Sequence, residues 1–170
     1  GTGAQDLGGN HLAEAYTWSF TTAPYFGWMI PVEITSDVGS ASVTLAVSEN
    51  ATDGFDPGLD EIAPPDPTAP AVSAYLYYPD NPSTPVDYRK LLTSYIPPAD
   101  ELTFELRVKY LQEGPVYDNV TISWNVSGVP AIYTSILLRD SGDTTTLADM
   151  RASSSYTFSV QYDDTASGQT

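Results

Sequence analysis

Apolar and polar positions alternate with a period of two along most of the chain. Between residues 15 and 22, Tyr16, Trp18 and Phe20 take one phase and Thr17, Ser19 and Thr21 the other. That is the pattern of a strand with one buried, aromatic face. Residues 25–35 (YFGWMIPVEIT) predict a second strand. Pro31 sets part of it at an edge or bulge, because proline has no N–H to give to a ladder. Residues 41–48 predict a third strand, with Val43, Leu45 and Val47 inward, paired to the second as a hairpin. Residues 71–78 (AVSAYLYY) follow. Residues 87–95 fit either a short helix or an irregular strand. In residues 101–111, Leu102, Phe104, Leu106, Val108 and Tyr110 share a face. In residues 119–126 the inward set is Val120, Ile122, Trp124 and Val126. Residues 133–140, 144–151 and 155–162 complete the strands, and residues 163–170 read as a polar tail.

Fourteen prolines and 12 glycines punctuate these runs, so no segment has room for a long helix. Short strands separated by turn clusters indicate an all-β fold, an antiparallel Ig-like or jelly-roll-like β-sandwich. The expected organisation is an N-terminal extension over residues 1–24, a sandwich over 25–162 and a tail over 163–170.

One stretch breaks the rhythm. Residues 49–67 (ENATDGFDPGLDEIAPPDP) are too long and proline-rich for regular structure, and a loop of that length in a compact domain is usually functional or disordered. Gly54 and Gly58 permit unusual backbone angles, while Phe55, Leu59 and Ile62 can fasten the loop to a core. Calcium takes six to eight oxygens. Asp53, Asp56, Asp60 and Glu61 could supply carboxylates, and the glycines would let carbonyls turn inward. The spacing is not that of an EF-hand, and carboxylates capping their own turns explain the same residues. The expectation is a calcium-stabilised loop. Asp6 and Asn10 are a second oxygen pair, which an Asx-turn explains equally well. Zinc is disfavoured by the lack of cysteine and the single histidine, His11.

Charge changes the picture next. The net charge is −16, with six Lys and Arg. Too few cations exist to neutralise phosphates, which argues against nucleic acid and anionic membrane surfaces. No apolar run approaches the roughly 18 residues of a membrane span. Without cysteine no disulfide can staple the domain, so its stability rests on core, metal or assembly.

The run DLGGNHLAEAYTWSFTT resembles the closing segment of the bacterial Ig-like domain of surface-layer proteins, with its D-x-x-G-N-x-L turn and W-x-F-x-T strand. That resemblance implies the last strand of a sandwich whose earlier strands this sequence does not contain. The segments ATDGFDPGLDEIAPPDP, VTISWNVSGVP, SILLRD and DMRASSSYTFSV are similar to β-sandwich modules of large secreted bacterial surface proteins, which implies an extracellular, non-catalytic module.

Catalysis is not expected. His11 lies in a turn, no G-x-S-x-G elbow exists for a serine nucleophile, and nothing marks two carboxylates as facing each other. Tyr75, Tyr77, Tyr78 or Trp28 could stack on sugar, but alternation suits a core equally. Asn50, Asn119 and Asn125 head N-x-S/T sequons and are possible glycosylation sites. The expectation is an extracellular, cell-surface structural subunit. It forms a head-to-tail polymer with other copies of itself by donating Tyr16, Trp18 and Phe20 to a neighbouring sheet. The alternative is a carbohydrate-binding or spacer module of a larger secreted protein, with surface glycans as partners.

Overall fold

A computed structural model describes residues 27–78, 90–112 and 116–162. The aromatic ribbon Tyr16, Trp18 and Phe20, the turn holding Asp6, Asn10 and His11, and the tail from residue 163 lie outside the described residues.

The described residues form an all-β, sandwich-like fold without a helix. The strands are β1 (Trp28–Ser36), β2 (Gly39–Val47), β3 (Glu61–Ile62), β4 (Ala71–Tyr77), β5 (Lys90–Ile96), β6 (Glu105–Leu111), β7 (Val116–Trp124), β8 (Leu137–Arg139), β9 (Thr146–Asp149) and β10 (Ser155–Tyr162). The main sheet runs in the order β10-β7-β1-β2-β5-β4-β6, with β3 alongside β5; β8 and β9 make a separate hairpin.

β1 shows why the pattern folds as it does. Trp28, Ile30, Val32 and Ile34 are buried, while Met29, Pro31 and Glu33 are exposed. The expected hairpin with β2 forms, with Ile34 opposite Ala41 and Ile30 opposite Leu45. On its other side β1 pairs with β7 only from Val32 to Thr35. Pro31 therefore sits where β1 has no described ladder partner on that flank, the place a strand proline tolerates. Just before it, Gly27 passes against β2 so closely that a Cβ would stand 2.5 Å from the Val47 carbonyl oxygen.

The sheet is mixed rather than purely antiparallel. β2 and β5 pair in parallel, Thr44 opposite Thr93 through Val47 opposite Ile96. Parallel neighbours need a long crossover, and the acidic loop, β3 and β4 provide it. The residues that left helix or strand open, 90–95, belong to regular β5. That strand is the fold's hinge. It pairs with β2 on one flank and with β3 and β4 on the other, and beyond it the sheet curls until β4 packs across β2 and β1.

The core fills the space between these halves. Ile30, Ile34, Val43, Val47, Val72, Ala74, Leu76, Leu91, Val120, Ile122 and Trp124 form one cluster. Leu106, Val108 and Tyr110 from β6 and Tyr156, Phe158 and Val160 from β10 pack on its margins, half-buried.

Candidate functional site

The acidic loop is ordered by its own hydrogen bonds. Asp60 is the central residue. Its Oδ1 accepts the backbone N–H of Tyr95 in β5 at 2.7 Å, and its Oδ2 accepts the N–H of Asp56 at 2.8 Å. β3 pairs with β5 only at Thr93 and Leu91, so the Asp60 carboxylate takes the acceptor position a longer β3 would have given Tyr95. Asp56 repeats the device within the loop. Its carboxylate accepts the Thr52 N–H at 2.6 Å and the Thr52 hydroxyl at 2.8 Å, while its carbonyl accepts the N–H groups of Leu59 and Asp60, both at 3.0 Å. The turn requires a left-handed residue, and Gly58 has φ +93°. Phe55 packs against the core, as its apolar character suggested.

The four sequence-selected acids therefore do separate jobs. Asp56 and Asp60 spend their oxygens on N–H and O–H donors of the protein. Glu61 is exposed on β3 and accepts a long bond from the Thr93 hydroxyl at 3.4 Å; Asp53 is exposed. Among the described residues no three acidic or histidine side chains gather closely enough to hold a metal ion. Asp56 and Asp60 clasp the loop through these hydrogen bonds.

The electrostatics follow from this crowding. Burial pushes the Asp60 carboxyl above its ordinary range against the pull of the Tyr95 and Asp56 N–H groups, and the nearby Asp56 charge adds to the rise. Tyr78 lies beside the same cluster. Its phenol is raised by burial first, then by the charges of Asp53, Asp60 and Asp56.

The tyrosines proposed as a stacking platform are covered. Tyr75 is only 5% exposed. Lys90 and Lys109 stand over its ring, 4.9 and 5.4 Å from the centroid, and the Arg107 guanidinium lies 3.5 Å above Tyr77. Asp66, from the linker before β4, ties this cluster together. It accepts from Lys109 Nζ at 2.6 Å and from the Ser73 hydroxyl at 3.1 Å, with Lys90 Nζ at 4.0 Å. The Lys109 ammonium beside it holds the Asp66 carboxyl below its ordinary value. Three of the chain's six cations thus collect over two tyrosines. The alternation of Arg107 with Lys109 on β6, and of Tyr75 with Tyr77 on β4, was the available signal; the pairing of β4 with β6 is what sequence spacing does not reveal.

Two more tethers were not foreseen. Trp124 Nε1 donates to the carbonyls of Met150 at 3.0 Å and Ser153 at 2.8 Å, fixing β7 to the turn after β9. Arg151 donates to the carbonyls of Pro130 and Tyr133 and holds the β7–β8 connection down. By contrast, Trp28 Nε1 is buried without a hydrogen-bond partner among the described residues, although its ring meets Tyr133 edge-on at 5.6 Å.

Asn50, Asn119 and Asn125 are all exposed. Asn119 Oδ1 accepts from the Ser159 hydroxyl and Asn125 Oδ1 from the Ser127 N–H. Comparison with family models, with curated proteins and with solved structures found no match.

Proposed function

We propose that this chain is an extracellular structural subunit that assembles head to tail, each copy donating residues 16–22 to the sheet of the next. The observation that carries the reading is the ribbon itself: three aromatics in strict alternation, in a chain whose main sheet has two outermost strands. A strand of this kind is an aggregation hazard unless it pairs. Burying Tyr16, Trp18 and Phe20, at roughly 150–250 Å² each and about 25 cal/mol/Å², gives on the order of 10 kcal/mol before entropy costs. A head-to-tail contact that does not close into a ring produces filaments. The strongly acidic surface suits a cell-surface component, keeping it soluble and discouraging unspecific contacts.

Calcium at Asp53, Asp56, Asp60 and Glu61 would add to the loop's own hydrogen bonds. A melting temperature that falls with excess EDTA and rises by several degrees with calcium supports the metal, and one that changes with neither removes it. The covered faces of Tyr75 and Tyr77 weaken the carbohydrate-binding alternative. The assembly reading is tested by deleting residues 1–22. The truncated protein should fold and run as a monomer by light scattering; persistence of the polymer would reject strand donation.

A further inference from the structure

The three N-x-S/T sequons all begin at exposed asparagines, yet the fold treats them differently. A sequon of this kind is defined by two groups, the asparagine carboxamide and the hydroxyl two residues on. In residues 119–121 both are engaged across the sheet. Asn119 lies opposite Ser159 and accepts its hydroxyl at 2.9 Å, and the Thr121 hydroxyl bonds that of Thr157 at 2.8 Å. In residues 50–52 the hydroxyl is taken. Thr52 Oγ1 donates to Asp56 Oδ1 at 2.8 Å and accepts the Gly54 N–H at 3.2 Å. Residues 125–127 differ from both. Asn125 Oδ1 accepts the Ser127 N–H at 3.0 Å, an Asx-turn. Asn125 Nδ2 and the Ser127 hydroxyl have no hydrogen-bond partner among the described residues.

The path of the chain explains the difference. The β7–β1 ladder ends with Trp124 opposite Val32, and the next pair would set Asn125 against Pro31, which has no N–H to offer. Asn125 therefore follows the last residue of β7 and opens a turn. Val126 packs on the core and Val129 is buried, and the Val129 N–H closes the turn onto the Val126 carbonyl at 3.0 Å. Ser127 and Gly128 form its exposed corner, where a Cβ on Gly128 would meet nothing within 4 Å. We propose that Asn125 is a glycan acceptor, receiving an oligosaccharide from a lipid-linked diphosphate donor through a transferase. Nδ2 attacks the anomeric carbon of the first sugar and forms the N–C bond. The bond from that carbon to the diphosphate oxygen breaks, its electron pair leaves on the diphosphate, and Nδ2 gives one proton to the transferase. A bulky, solvated group fits an open turn and not a strand whose carboxamide and hydroxyl are tied to their neighbour. The site calls for export, as the structural-subunit reading does, and is independent of strand donation.

The test uses the folded, full-length protein. It is incubated with a purified oligosaccharyltransferase and lipid-linked oligosaccharide, in a reaction that modifies a synthetic peptide of residues 122–130, and its peptides are mapped by mass spectrometry. The expected result is one glycan, on the peptide containing Asn125. Asn125→Gln should abolish it, Ser127→Ala should remove it with the asparagine intact, and Asn50→Gln and Asn119→Gln should leave it unchanged. Modification of Asn50 or Asn119 to an equal or greater extent would overturn the assignment. So would folded protein that stays unmodified while the peptide reacts. Protein isolated from its natural source should carry the same modification at Asn125, and a bare asparagine there would overturn the proposal as well.

Discussion

Trp28 and Trp124 are both buried core residues, yet among the described residues Trp124 has partners for its indole N–H and Trp28 has none. Replacing either with Phe removes similar apolar area. Trp124→Phe additionally strands the Met150 and Ser153 carbonyls, whereas Trp28→Phe removes a donor that has no partner. Chemical denaturation should therefore show Trp124→Phe more destabilising than Trp28→Phe by about 1–2 kcal/mol; equal losses would mean the tether contributes nothing. Asp60→Asn is a second residue-scale test. An amide offers one carbonyl oxygen where the carboxylate accepts two N–H groups, so one donor faces an NH₂. The expected loss is about 1–3 kcal/mol, with faster amide exchange at Tyr95.

Asp118, whose carboxylate accepts the N–H groups of Asn119 at 2.6 Å and Asp37 at 3.2 Å, gives a pH signature. Tyr110, whose hydroxyl donates to Gln112 Oε1 at 3.1 Å, is pushed up to about 12 by removal from water, then by the Asp118 carboxylate. Removal from water also raises Asp118, but the polar groups around it outweigh that and hold the carboxyl below 3.8. A depressed carboxyl contributes stability above its unfolded value, lost as pH falls through the folded one. A raised phenol contributes below its ordinary value of 10.0, lost as pH rises towards 12. The melting-temperature deficit of Asp118→Asn should thus be present at pH 7 and fade as the pH falls below 3.8. A deficit independent of pH would remove the charge from the explanation.

At the scale of elements, the strands were legible because one face of each is buried and the side-chain period is two. β2, β6 and β7 each contain the inward set read from the pattern, apart from small shifts at their ends. Residues 90–95 were ambiguous for a physical reason: β5 has neighbours on both flanks and buries Leu91 and Ser94, which are three apart, so alternation fades. The acidic loop was legible as ordered, through Gly58 and Phe55. Its partner was not, since the bond from Tyr95 to Asp60 spans 35 residues and no local spacing encodes it. Asp66 pins the linker before β4 to the outer sheet face through an ion pair whose side chains are about a third exposed. Solvent screening limits such a pair, so Asp66→Ala should cost at most about 1 kcal/mol by denaturation. A much larger loss would show that the linker is a cooperative part of the core.

At the scale of the molecule, the sequence conveyed fold class but not strand order. Hydrophobic alternation says which face is buried and nothing about which strand lies beside which. The parallel β2–β5 pairing follows from the path of the chain between strands. The aromatic ribbon in the sequence is the basis for the proposal that the protein is a polymer subunit. Charge opposes self-association here, because copies with net charge −16 repel one another. Assembly should accordingly strengthen as salt rises from low to physiological levels, the expected trend when apolar burial works against like-charge repulsion. Weaker assembly in salt would point to ion pairs as the contact.

The most direct test is sedimentation velocity of the full-length protein beside its Trp18→Ser variant at physiological salt. The account predicts a broad distribution of large species for the parent protein and a single monomer peak of unchanged fold for the variant. Identical distributions for the two would contradict it.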